Sequence, residues 1–184
     1  MAKIEAALTE IRSTLAGVLI THGHPDHIDL ATAVAARFQV PIWMSPEEIL
    51  ASGFRAPGLV PIHTEAWNVG ELVVRAIATP GHTPGSVCYL IGDALFTGDT
   101  LFAEGCGICA DITAAHAMFD SLARLKSILS LDTRVYPGHS YGKPPGRPFA
   151  ELLRDNIYLH FTARERFAAF RLRKGQRITN LFGE

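Results

Sequence analysis

Apolar positions along the chain come in short runs, and their spacing changes from one run to the next. Ile4, Ala7, Leu8, Ile11 and Leu15 recur at helical spacing and predict an amphipathic helix over residues 3–15. Gly17-Val18-Leu19-Ile20 reads as a buried strand that ends at a histidine cluster. Residues 28–38 are alanine-rich and helical, and Val40 to Met44 is strand-like. Ser45-Pro46-Glu47-Glu48 is a helix start, with a serine N-cap and proline at the first helical position. Gly53, Pro57, Gly58 and Pro61 predict a loop over residues 52–63. Leu72 to Ala78 is a strand leading into the turn Thr79-Pro80-Gly81-His82-Thr83-Pro84-Gly85. The strands Ser86–Ile91 and Ala94–Thr97 are joined by Gly92-Asp93, a two-residue hairpin signal. Gly98-Asp99-Thr100 opens a long loop, residues 113–129 are helical, and Arg134–Tyr136 is a strand that runs into Pro137-Gly138-His139. Residues 149–172 are mostly helical. Alternating strands and helices suggest α/β, while the hairpin argues for mixed sheets.

Length and charge narrow the class. A chain of 184 residues suits one well-buried domain, read as 1–184 with 149–184 as a short C-terminal helical extension. The net charge of −1 asks for neither nucleic acid nor a membrane surface. No apolar run approaches the roughly 20 residues that span a bilayer. The first residues carry Glu5 and Glu10 and no apolar core of a secretory signal. Three cysteines, Cys88, Cys106 and Cys109, fit a reducing compartment better than a disulfide scaffold, so a cytoplasmic location is expected.

The candidate chemistry sits just after apolar strands, where a sheet holds loop side chains. His22, His24, Asp26 and His27 place four possible ligands within six residues. Divalent metals bind neutral imidazole and carboxylate. Side chains 22 and 24 point the same way on an extended segment, and Pro25 then bends the chain. One metal can take His22 and His24, a second Asp26 and His27. Each half-site then needs ligands from elsewhere. His82, Asp99 and His139 lie on glycine-containing turns beyond strand ends, and Asp99 can bridge two ions. A water shared by two ions loses its proton near neutral pH and becomes the nucleophile. His63, His116 and His160 have no such setting and read as ordinary residues.

Thr-His-x-His-x-Asp-His, Gly-His-Thr-Pro-Gly-Ser, Gly-Asp-Thr-Leu-Phe and Tyr-Pro-Gly-His, in this order from about Val18 to Tyr141, resemble the metallo-β-lactamase superfamily. The stretch Gly98–Phe102 with Glu104-Gly105-Cys106-Gly107 makes the glyoxalase II (hydroxyacylglutathione hydrolase) branch the nearest. The resemblance implies an αββα sandwich, with one ion on His22, His24 and His82, a second on Asp26, His27 and His139, and Asp99 bridging. It implies two divalent ions, zinc by default with iron or manganese in some relatives, and hydrolysis of an acyl thioester by bridging hydroxide, with Asp26 and Asp99 as catalytic residues. A mononuclear iron persulfide dioxygenase using His22, His82 and Asp99 is the competing activity on this scaffold. A truncated metal-binding scaffold without turnover is the non-enzymatic alternative.

Three departures qualify the glutathione substrate and the scaffold. Ile108, Cys109 and Ala110 stand where glyoxalase II proteins carry a basic residue for the glutathione carboxylate, although Tyr141 matches a glutathione-contacting tyrosine. The stretch from Gly142 through Arg147 to Arg177 is similar to hydrolases of trans-acyltransferase polyketide clusters. That similarity implies an acyl thioester on a phosphopantetheine arm or carrier protein. The resemblance implies several strands before the first metal motif, whereas only 21 residues precede His22; either the sequence starts late, or the helix over 3–15 and a partner subunit, as in a homo-oligomer, cover the edge that is left. Lys143 and Arg147 are candidates for an anionic substrate tail. Arg164, Arg166, Arg171, Arg173, Lys174 and Arg177 read as a solvated helix face, and Cys106-x-x-Cys109 as a plain loop rather than a redox pair.

Overall fold

The computed structural model describes residues 1–63 and 65–174. The first sheet holds β1 (Val18–Leu19), β2 (Ile42–Met44) and β3 (Leu59–Pro61), all parallel and in that order. Parallel neighbours need crossovers. The chain supplies them with α2 (Pro25–Ile28) and α3 (Ala31–Phe38) after β1, and α4 (Pro46–Ser52) after β2. The second sheet runs β4 (Ala66–Val69), β5 (Leu72–Ala78), β6 (Val87–Ile91), β7 (Ala94–Gly98), β8 (Arg134–Pro137) and β9 (Arg147–Pro148). Its neighbours are antiparallel except β7 and β8, between which α5 (Ile112–Ile128) crosses over. The hairpin forms as the Gly92-Asp93 pair predicts, with Ile91 opposite Ala94.

Three buried clusters define four layers. Ile20, Ile42 and Met44 pack on Ala31 and Ala35 of α3, outside the first sheet. Val74, Val87 and Tyr89 meet Leu19 and Ile62 between the sheets, and the Tyr89 hydroxyl donates to the Ile20 carbonyl at 2.7 Å. The largest cluster lies outside the second sheet. There Ile77, Cys88, Leu95 and Val135 pack on Met118, Leu122 and Leu125 of α5. The architecture is therefore an αββα sandwich.

The C-terminal segment completes that outer layer. α6 (Phe149–Asp155), a 3-10 turn (Ile157–Leu159) and α7 (Arg164–Arg171) bring Phe149, Leu152, Phe167 and Ala168 into the same cluster as α5. Phe149 and Phe167 are fully buried, each stabilising by about 1.5–3 kcal/mol relative to an exposed ring. The rest of the 149–184 extension, with Arg177, lies outside the described residues. Arg171 departs from the solvated face expected of it. It is buried and donates from Nη1 to the Tyr158 hydroxyl at 3.0 Å.

Other expectations need correcting. α1 covers only Ala2–Glu10 and buries none of its residues. Arg12 enters the left-handed region at φ 50°, and the amides of Arg12 and Ser13 return to Thr9 and Leu8. This Schellman closure ends the helix before Leu15. β3 forms inside the segment predicted as loop, with Pro61 tolerated at the end of an edge strand. An apolar groove of about 570 Å³, lined by Leu15, Leu19, Tyr89, Ile91, Phe96 and Tyr136 among others, runs beside β1. Among the described residues, no helix is long and apolar enough to cross a membrane.

Candidate metal centre

Strand ends deliver the donors. Beyond β1, Thr21 to His24 leave the sheet extended, and His24 caps α2 at φ −68°, ψ 146°. Pro25 then starts a helical turn, which sends Asp26 and His27 in a different direction from His22 and His24. His82 lies in the turn between β5 and β6, Asp99 directly follows β7, and His139 follows β8. The C-terminal ends of β1, β5, β7 and β8 thus converge on one site.

The seven residues form overlapping groups. His22, His24 and His82 make one, and Asp26, His27 and His139 another. His22, His27 and Asp99 link them, and within each group the donor atoms lie within 4.8 Å of one another. His24 Nδ1 is 3.0 Å from His82 Nε2. His27 Nε2 is 3.1 Å from His139 Nε2. Asp99 is buried between the groups, with Oδ1 3.4 Å from His27 Nε2 and Oδ2 3.6 Å from both His82 Nε2 and His139 Nε2. Asp26 Oδ2 is 3.3 Å from His139 Nε2 and 3.6 Å from His27 Nε2.

Protonation suits metal binding. Burial, then the neighbouring histidines, lowers His22 from 6.5 to about 2. Burial also lowers His27 and His82, against the opposing pull of Asp99 and, for His82, of its bond to the Ile108 carbonyl. These rings are therefore neutral at neutral pH, the form that offers a lone pair. His22 Nε2 is buried without a hydrogen-bond partner among the described residues. An orphaned buried nitrogen is costly, and a cation among His22, His24 and His82 relieves it. The donor set, imidazole nitrogen with carboxylate oxygen, fits a divalent ion such as zinc.

His82 is oriented from behind. Its Nδ1 lies 2.9 Å from the Ile108 carbonyl, which fixes the tautomer and aims Nε2 at the cluster. A backbone carbonyl leaves no side-chain signal, so the sequence could not show it. Glu48, beneath both loops of the first group, was read only as part of a helix start, because nothing separates it from exposed Glu47 in the sequence.

Of the remaining expected residues, Tyr141 lies beside His139. Tyr141 is half-exposed, with its ring centre 6.2 Å from that of His139 and 5.2 Å from that of Phe102. Its hydroxyl is held above the usual phenol value by burial and then by Asp99, Asp26 and Glu104. Lys143 and Arg147 already have anionic partners. Lys143 Nζ is 3.2 Å from Asp155 Oδ2, and Arg147 pairs with Glu151 one turn on. His63, His116 and His160 belong to none of the donor groups among the described residues. The three cysteines are free and buried thiols, and burial pushes Cys88 and Cys109 up to about 11.

Known proteins resemble this chain in sequence and fold. The family model of the metallo-beta-lactamase superfamily matches residues 2–139. The probable polyketide biosynthesis zinc-dependent hydrolase PksB of Bacillus subtilis is 41% identical over 179 residues, 96% of this chain and 80% of that protein. A hydroxyacylglutathione hydrolase of Brucella ovis is 37% identical over 180 residues, 96% of this chain and 66% of that protein. Among solved structures, ETHE1 from Myxococcus xanthus superposes with a TM-score of 0.79 at 34% identity, covering 92% of this chain and 73% of that one. The four-layered fold, the strand-end donors and a family model spanning most of the sequence agree: this chain belongs to the metallo-β-lactamase superfamily.

Proposed function

We propose that this chain is a metal-dependent hydrolase of acyl thioesters whose acyl group rides on a phosphopantetheine arm or carrier protein. The observation that carries the reading is the pair of donor groups sharing one buried carboxylate, Asp99. His22, His24 and His82 would hold one divalent ion and Asp26, His27 and His139 the other, with Asp99 common to both. The likeness to PksB favours zinc and a biosynthetic acyl substrate. Bound at such a site, divalent ions supply a Lewis acid and a water of lowered pKa.

The chain's own groups do the rest. Asp99 turns one oxygen to His27 and the other to His82 and His139, so a single rigid residue fixes both groups relative to each other. Asp26, with a third of its side chain exposed, touches both the second group and solvent. In this reading Asp26 passes on the proton released as water adds to the acyl carbon and the carbon–sulfur bond breaks. The exposed Tyr141 ring, edge-on to buried Phe102, stands beside His139, and an acyl chain can lie against it.

Glutathione fits less well. Ile108 offers no charge, and Lys143 and Arg147 are engaged by Asp155 and Glu151. The test is a panel of acyl-glutathione, acyl-coenzyme A and acyl-carrier-protein thioesters with matched acyl groups. The highest kcat/KM is expected for the carrier-protein substrate. Preference for acyl-glutathione would overturn the carrier assignment, and no thioester cleavage by folded, metal-loaded protein would overturn the activity.

A further inference from the structure

We propose that Glu48 is the positioning residue of the first donor group: one buried carboxylate ties the loop bearing His22 and His24 to the loop bearing His82. Glu48 is 2% exposed. It stands at the third position of α4, where a capping-box glutamate would turn back to the amide of the N-cap residue. Here the Ser45 hydroxyl accepts from the Glu48 amide at 3.1 Å, but the carboxylate reaches outward instead. Oε1 accepts from the Gly23 amide at 2.7 Å. Oε2 accepts from the Gly85 amide at 2.9 Å and the Thr83 hydroxyl at 2.7 Å.

Gly23 separates His22 from His24, and Thr83 follows His82. Each loop is thus anchored at a residue adjacent to a donor. Both glycines permit the approach, because a Cβ at Gly85 would lie 2.1 Å from the Glu48 amide nitrogen and one at Gly23 would lie 2.3 Å from Ser52 Cβ. Three hydrogen bonds to one carboxylate are charge-assisted and directional. None of them reaches Asp26, His27 or His139. The two loops come from opposite sheets, and the gap between their donors is what the first group's geometry depends on. Glu48 spans that gap and belongs to none of the donor groups among the described residues.

The inference rests on the two-ion reading, and zinc titration of the full chain separates the two. Metal-free protein is titrated against a chromophoric chelator in wild type, Glu48→Gln, Thr83→Val and Glu47→Gln. Wild type is expected to bind two ions. If it does not, the two-ion reading fails whatever Glu48 does. Gln keeps the size of Glu but sets an amide NH2 against an N–H or hydroxyl donor. Loss of such an outer partner typically weakens a metal site about 10–100-fold. The Kd rise should appear in a His139→Ala background, where the first group remains, and be absent in a His24→Ala background, where only the second does. Glu47→Gln should bind as wild type. Equal losses in both backgrounds, or a first-site Kd within twofold of wild type, would overturn the proposal. If Glu48→Gln does not melt cooperatively, Thr83→Val decides by the same criterion. It removes one bond of the three, and a first-site loss of about fivefold or more is expected.

Discussion

Replacing Gly138 with alanine separates damage to the site from damage to the fold. Gly138 precedes His139, and its backbone is not in the left-handed region, so alanine adds no conformational strain. The new Cβ would stand 2.6 Å from His27 Cε1 and 2.7 Å from Asp99 Oδ1. Ordinary contact begins at 3.4 Å, so both atoms must retreat by about 0.7–0.8 Å. The two nearest atoms are the ends of side chains, and the backbone carbonyl carbon of Gly98, at 3.3 Å, is only slightly crowded, so the stability loss belongs at the low end of the roughly 1–3 kcal/mol of overpacking. Those ends are also donor groups, and metal–ligand distances tolerate only about ±0.2 Å. The displacement is several times larger. Zinc affinity of the Asp26, His27 and His139 group should therefore fall about 100-fold or more, beyond what loss of an outer partner produces. Turnover should fall with it. The assay is chelator-competition titration alongside thermal melting of the metal-free protein. Wild-type affinity at both sites would refute the geometry. So would a collapse of stability with affinity intact.

Two further outcomes follow from the same structure. Between about pH 6.5 and 2 the unfolded chain binds a proton at His22 that the folded, metal-free protein refuses. Stability of chelator-treated protein should then fall as pH drops below 6.5, by on the order of 1 kcal/mol per pH unit. Urea unfolding at pH 8, 7, 6 and 5 measures it, and an unfolding free energy unchanged from pH 7 to 5 rejects the buried neutral imidazole. Asn156 is fully buried; its Nδ2 donates to the Phe102 and Gly105 carbonyls at 3.0 and 2.9 Å, and its Oδ1 accepts from the Tyr158 amide at 3.0 Å. Asn156→Ala should lower stability by about 2–4 kcal/mol, since it leaves the Phe102 carbonyl and the Tyr158 amide without this partner, while the Gly105 carbonyl keeps the Phe102 amide. A change below about 0.5 kcal/mol in denaturant titration would show that this bracing of the loop after Asp99 carries no weight.

The donors were legible in the sequence because each needs its own side chain, and histidine or aspartate beyond a strand end has few other reasons to recur. His22, His24, Asp26 and His27 also sit close enough in the chain for spacing alone to divide them between two groups. Tertiary partners were not legible. Lys143 is a candidate for an anionic substrate tail in the sequence, but it meets Asp155 at the end of α6, whereas the pairing of Arg147 with Glu151 is local, four residues apart. Arg171 reads as solvated among its charged neighbours, and only the fold brings α7 back to Tyr158 in the 3-10 turn. β3 was hidden by Pro61 and Gly58, which break a central strand but not a parallel edge strand paired on one side. α1 ended early because Arg12 accepts a left-handed conformation that composition does not advertise.

Metal stoichiometry measured together with turnover tests the two-ion hydrolytic site most directly. Wild-type protein should carry two divalent ions per chain and lose thioester hydrolysis to a chelator. Added zinc should restore that hydrolysis. Asp99→Ala should bind metal weakly and lose turnover. One iron per chain, with oxygen uptake on a thiol persulfide and no thioester cleavage, would contradict it, and so would near-wild-type hydrolysis by Asp99→Ala.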